Sequence, residues 1–207
     1  GYYEDEEFGF DITLNLQNLV NTKIVGLGNV RFLTTNNSLT VLNMTLCESV
    51  SLENIYMVHD VKGGCQGDVF HLKKSWDMNF NAMVFDGSGS YGTFVDESFN
   101  IFFNACEFTN CTDGAGYFSA SKCYFNDCVL SENQVYSSLI EANKNSYLEF
   151  SGCIFEENYG TEDDFNQYLF SAENAEINIK EDCIIRNNAV SSILNNADLV
   201  KVKTIED

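Results

Sequence analysis

Residues 140–158 read IEANKNSYLEFSGCIFEEN, and three short runs of period two share this stretch. Ile140 opens the first, Leu148 and Phe150 form the second, and Cys153 and Phe155 form the third. Side chains two apart in an extended chain share a face, so each run has an apolar face and a wet one. The residues between the runs are turn formers.

The plan recurs along the chain. The apolar anchors that follow a loop and open a strand are Phe70, Phe94, Phe118, Ile140, Phe170 and Leu194, at intervals of 24, 24, 22, 30 and 24 residues. The second pair repeats as Met78/Phe80, Ile101/Phe103, Leu148/Phe150 and Ile177/Ile179. The third repeats as Met83/Phe85, Cys106/Phe108, Cys123/Phe125, Cys153/Phe155 and Cys183/Ile185. A unit this short cannot bury its own apolar face, but stacked units bury a continuous column. The pattern predicts an all-β, right-handed parallel β-helix of about 24 residues per coil. A leucine-rich repeat would need Leu at fixed spacing before an Asn, which is absent. The lack of any Pro suits backbone N–H groups that all bond to the next coil.

One domain over 11–207 is expected, regular from about residue 68, behind an acidic and aromatic arm at 1–10. Strand-like stretches at Asp11–Leu16, Lys23–Leu33, Ser38–Leu46 and Val50–Val58 read as earlier, less regular coils. Cys123 follows Phe118 by only five positions, which predicts a coil without its middle strand. The loop from Tyr159 to Gln167 is enlarged and acidic.

With 31 acids against 11 Lys and Arg, the formal charge is −20, which excludes nucleic acid and anionic membrane surfaces as expected partners. No stretch approaches the roughly 20 apolar residues of a membrane-spanning helix, so none is expected and the chain is expected to be soluble. With no initiator Met and no leader pattern, the sequence reads as a processed form or an excerpt. N-glycosylation sequons at Asn36, Asn43 and Asn110 and an even set of eight cysteines both point to an extracellular location.

Cysteines five apart along one strand are too distant to bridge, whereas equivalent positions on adjacent coils lie about 4.8 Å apart, within disulfide range for Cα atoms. The expected disulfides are Cys106–Cys123, Cys111–Cys128 and Cys153–Cys183, with Cys47–Cys65 by elimination. The alternative is a ladder of buried free thiols. No C-x-x-C or paired His spacing supports zinc.

The strand CIFEEN at Cys153–Asn158, with CEFTNC, CYFNDC and CIIRNN in register, resembles the C-x-F-x-x-N turn of right-handed β-helix repeat proteins of the polymorphic outer-membrane protein and adhesin type, including similar secreted protist repeat proteins. The resemblance covers roughly 68–207 and implies adhesive or surface-structural roles, with no catalytic residue to carry over. In stacked coils an Asn repeating in one column forms a side-chain amide ladder, so Asn158 and Asn188 are read as structural.

Many β-helices degrade polysaccharides, so catalysis is the competing class. Proton abstraction would need a Lys or Arg base, and hydrolysis a carboxylate pair on one face. The candidates are Lys73-Lys74 beside Trp76, the histidines His59 and His71, the acids Asp96, Glu97, Glu141 and Glu149, and a cation loop at Glu162-Asp163-Asp164. Each reads more simply as a solvated face or turn. No catalytic residue, metal site or cofactor is expected. The favoured function is an extracellular structural or adhesin-like glycoprotein, assembling head to tail into a filament through its open coil ends or the arm bearing Tyr2, Tyr3, Phe8 and Phe10. A glycan or cell-surface partner is the further expectation. The alternative is a polysaccharide lyase or hydrolase on the same scaffold.

Overall fold

The computed structural model describes residues 13–61, 66–87, 90–161, 166–195 and 200–202, the last three as backbone. Short strands stack in parallel into three long sheets. Sheet A runs through Leu14–Gln17, Leu42–Thr45, Phe70–Lys73, Tyr91–Asp96, Gly114–Ser119, Ser138–Asn143, Tyr168–Glu173 and Ser192–Asn195. Sheet B contains Lys23–Val25, Ser51–Glu53, Trp76–Asn81, Phe99–Asn104, Lys122–Asn126, Tyr147–Ser151, Glu176–Ile179 and Val200–Val202. Sheet C contains Arg31–Thr34, Tyr56–His59, Val84–Gly87, Glu107–Thr109, Val129–Ser131, Ile154–Glu156 and Ile184–Arg186. The chain therefore completes seven A–B–C coils and begins an eighth.

Inward positions repeat from coil to coil because parallel strands place equivalent residues directly above one another. Phe80, Phe103, Phe125 and Phe150 form one stack, with centroids 5.0, 4.8 and 4.4 Å apart and planes within 20°. Phe85 and Phe108 stack at 4.7 Å in sheet C. All six rings are buried, so removing one costs about 3–5 kcal/mol.

Register corrects several expectations. Phe70, Ile140, Phe170 and Leu194 do share a column, but its members between them are Thr93 and Gly116. Phe94 sits one position on and faces outward, while Phe118 sits two positions on, beneath Val95. The coil at Cys123 keeps its middle strand. Cys123 and Phe125 are that strand, below Ile101 and Phe103, and the third strand is Val129–Ser131. Any inward pair spaced i, i+2 satisfies the C-x-F pattern, which is why the two strands look alike in sequence. The coil's middle strand is short by one residue, because Asn100 bulges between Phe99 and Ile101 and has no counterpart between Lys122 and Cys123. The earlier coils from Leu14 onward pair in the same three sheets, with Leu42, Met44, Leu52 and Met57 where later coils carry more Phe.

Many corners share one plan. A residue in left-handed conformation turns the chain, as at Lys74, Glu97 and Ala120 between sheets A and B, Ala82, Ala105 and Asp127 between B and C, and Asn110, Glu132 and Glu157 between C and A. The next residue turns inward and, where it is Ser or Asn, its side chain accepts the N–H of its equivalent one coil earlier. Between A and B the acceptors are serines: Cys47 N–H donates to Ser75 Oγ (3.0 Å), Ser75 to Ser98, Ser98 to Ser121 and Ser121 to Ser146. Between C and A they are asparagines: Cys111 N–H donates to Asn133 Oδ1, Asn133 to Asn158 and Asn158 to Asn188. These amides also donate inward, to the carbonyls of Phe108, Leu130 and Phe155.

Between B and C the column is Met83, Cys106, Cys128, Cys153 and Cys183. Thiols donate to backbone carbonyls, as Cys106 does to Phe80 O and Cys128 to Phe103 O, both at 3.4 Å. The disulfide expectation is corrected here. Cys106 stands beside Cys128 rather than Cys123, and Cys111 occupies the asparagine column. Cys153 and Cys183 are neighbours as expected, but all seven described cysteines are free thiols, and Cys65 lies outside the described residues.

Candidate functional site

With inward and corner positions committed to the stack, any partner must be met by outward side chains. On sheet A, His71, Phe94, Tyr117 and Glu141 form one outward column. The Phe94 ring stands edge-on to His71 at 4.5 Å and stacks on Tyr117 at 4.9 Å. Asn143 Nδ2 donates to the Tyr117 hydroxyl at 2.5 Å. Burial pushes the His71 pKa down, with Lys73 adding to it. Its Nε2 is buried without a hydrogen-bond partner. Burial raises the Glu141 carboxyl, and Glu173 in the next coil adds to this.

On sheet B, Trp76, Phe99, Lys122 and Tyr147 follow one another outward, beside a second column of Asn79, Phe102, Tyr124 and Glu149. Trp76 and Phe99 are 40% and 52% exposed. Phe102 stacks on Tyr124 at 4.9 Å, and Lys122 Nζ lies 5.5 and 5.3 Å from the Tyr124 and Tyr147 rings.

The candidates for catalysis are separated and paired. Lys73 faces Asp96 and Lys74 faces Glu97, each at 3.6 Å across adjacent coils. Glu149 accepts the Tyr147 hydroxyl at 2.7 Å and Lys180 Nζ at 3.0 Å, contacts that hold its carboxyl below the usual range. His59 is buried beneath Gly87, where a Cβ would come within 2.7 Å of the His59 Cβ. The loop at Glu162-Asp163-Asp164 lies outside the described residues; its base is closed by Gln167 Nε2 donating to Thr161 O and Oγ1 at 2.9 and 2.8 Å.

The three sequons differ in setting. Asn36 is in an exposed turn, its Oδ1 accepting both the N–H and the hydroxyl of Ser38. Asn43 is within a sheet A strand and donates to Asn15. Asn110 occupies a corner and donates to Asp86 Oδ1 at 2.9 Å.

The sequence reading missed two features. Asp68 accepts the Tyr91 N–H at 3.1 Å, and burial, opposed by that bond and helped by Asp113, raises its pKa to about 6. A groove also crosses sheet C around Arg31, Tyr56 and Asp86. Arg31 is isolated in the sequence, and only the stacking of its coil on the next places it against Tyr56.

Three stacked parallel sheets around an aromatic core, with outward aromatic rows, define the class as a parallel β-helix. A model of the right-handed β-helix region matches residues 68–203, and the chain belongs to that family. No curated protein matches the chain. Among solved structures it is similar to a trypsin-treated variant of QnrB1, a plasmid-mediated fluoroquinolone resistance protein, at 14% identity over 90% of this chain and 93% of that one, with a TM-score of 0.25. It is also similar to HetL, a pentapeptide repeat protein involved in heterocyst differentiation regulation from the cyanobacterium Nostoc sp. strain PCC 7120, at 9% identity over 87% and 86% of the two chains, with a TM-score of 0.17.

Proposed function

We propose that this protein is an extracellular, non-catalytic β-helix scaffold of the adhesin type, presenting its outward aromatic rows to a glycan or cell-surface partner. The observation that carries this reading is the outward row Trp76–Phe99–Lys122–Tyr147 on sheet B, exposed at Trp76 and Phe99 and held on a stack with serine and asparagine ladders at its corners. A rigid support keeps aromatic contacts in place at low entropic cost. The cross-coil pairing of Lys73 with Asp96 and of Lys74 with Glu97 supports a structural use of those charges over a catalytic one. N-glycosylation is proposed for the exposed sequon at Asn36, and end-to-end association of coils is proposed as the route to a filament.

The test combines localisation with binding. Antibody against the native chain should label the surface of intact source cells, and fluorescent chain should bind glycan arrays or cell surfaces. A Trp76→Ala/Phe99→Ala variant with unchanged melting should bind at least about tenfold more weakly, since exposed aromatic anchors dominate such contacts. Intracellular labelling, or full binding by that variant, would refute the proposal. Release of reducing or unsaturated ends from a polysaccharide panel would establish the enzyme alternative instead.

A further inference from the structure

Two concavities of about 520 and 350 Å³ open side by side on the outside of the first coils, and Arg31 lines both. One is lined by Val30, Ala82 and Val84 together with Asn29 and Asn54, the other by Asp60 and Asp86. The Arg31 guanidinium lies 4.8 Å from the centroid of the Tyr56 ring, and among the described residues no carboxylate pairs with it. The chain's other arginine, Arg186, is paired with Glu156 through both Nε and Nη2, at 2.7 and 2.6 Å. Asp86 is held from two sides, by the Tyr56 hydroxyl and by Asn110 Nδ2. The groove thus sets one ring-supported cation against two carboxylates, next to a hollow with Val30, Ala82 and Val84 on its wall.

We propose that this groove binds a free apolar α-amino acid in its zwitterionic form. The ligand carboxylate lies on the planar guanidinium fork, which matches it with two parallel hydrogen bonds. The ammonium turns toward Asp60 and Asp86, and the side chain covers Val30, Ala82 and Val84. Stacking on Tyr56 limits the rotamers of Arg31 before binding, which lowers the ordering cost. Net charge selects the zwitterion. A chain of −20 repels a simple anion at long range, but a neutral ligand carries no such penalty. The volumes fall within the range of small-molecule sites, about 300–1,000 Å³. This site is independent of the adhesive surface on sheet B.

The test is titration of the intact chain with L-phenylalanine, followed by calorimetry and by NMR shifts of the Arg31 Nε–H and Asn110 side-chain amide signals. Saturable one-to-one binding is expected. N-acetyl-L-phenylalanine, which lacks the ammonium, and L-phenylalaninamide, which lacks the carboxylate, should each bind at least about tenfold more weakly. Arg31→Gln should lose at least about tenfold and Arg31→Lys less, while Arg186→Gln should bind as the parent does. Melting curves check that each variant is folded. The proposal is overturned by absence of saturable phenylalanine binding, by an undiminished Arg31→Gln variant, or by either derivative binding as well as phenylalanine. Retained binding of the acetylated ligand alone would assign a simple carboxylate site. None of these results bears on Trp76 and Phe99, so the two proposals fail separately.

Discussion

The corner between sheets C and A and the corner between sheets B and C meet the same demand with different chemistry. At each, the backbone N–H of one coil must find an acceptor in the next, because no strand neighbour supplies one. Asn133, Asn158 and Asn188 meet it with amides that accept and donate at once, and Asn133 Nδ2 also reaches Asn158 Oδ1 at 3.0 Å. In the cysteine corner the N–H groups of Met83, Cys106, Cys128 and Cys153 are directed at the thiol one coil on. Sulfur is the weaker partner in both roles. The cysteine corner is therefore held by packing, the asparagine corner by hydrogen bonds. The thiol in such a column is a small apolar residue that tolerates polar neighbours. Cys153 is pushed up to about 12, first by its contact with the Cys128 thiol, so this thiol stays protonated near neutral pH.

The largest effect should come from breaking the stronger ladder. Asn158→Ala leaves the buried Asn133 N–H without its acceptor and takes a donor from the Leu130 carbonyl, and should cost on the order of 3 kcal/mol in urea unfolding. Ser98→Ala removes one acceptor and one donor and should cost about 1–2 kcal/mol in the same assay. Cys128→Ala should cost about 1 kcal/mol, and Cys128→Ser should stay within about 1 kcal/mol of the parent, since the serine corner shows that a hydroxyl satisfies this geometry. If Cys128→Ser costs as much as Asn158→Ala, the corners are not equivalent in the way described. At the small end, Ala105→Gly relieves a left-handed alanine and should gain up to about 1 kcal/mol.

A pH comparison sharpens the account from outside the corners. Asp68 titrates at about 6 when folded, against about 3.9 when unfolded. Below pH 4 both states hold the proton, and between about 4 and 6 only the folded state does. Its contribution to stability therefore falls as pH rises through that window and stays low above it. Asp68→Asn retains an acceptor for the Tyr91 N–H and should melt higher than the parent at pH 7, with the difference vanishing below pH 4. Thermal scans across this range check it.

Much of the architecture was legible because a period of two, interrupted by turn formers every few residues, leaves few ways to bury Phe80, Phe103 and Phe150. Register was harder. Phe94 and Phe118 announce themselves as anchors by size, but a column can hold Thr93 or Gly116 where a neighbouring ring fills the space: a Cβ on Gly116 would lie 2.5 Å from the Phe118 ring. The cysteine pairing failed because the inward pair Cys123/Phe125 of sheet B has the same C-x-F spacing as Cys106/Phe108 of sheet C, so spacing alone aligns two different strands. Asn158 and Asn188 were readable as a ladder because the C-x-F-x-x-N spacing fixes them relative to the strand. The Arg31 groove was not, because Tyr56, Asp60, Asp86 and Asn110 lie 25 to 79 positions from Arg31 and only the stacking of coils joins them to it.

The claim that the stack is tied corner by corner is tested most directly by hydrogen exchange of the Asn133 and Asn158 side-chain amides and the Cys111 and Asn133 backbone N–H groups. All four should exchange only on global unfolding, at the rate of core amides such as that of Phe103. Exchange within seconds, while the Phe103 amide stays protected, would contradict the account.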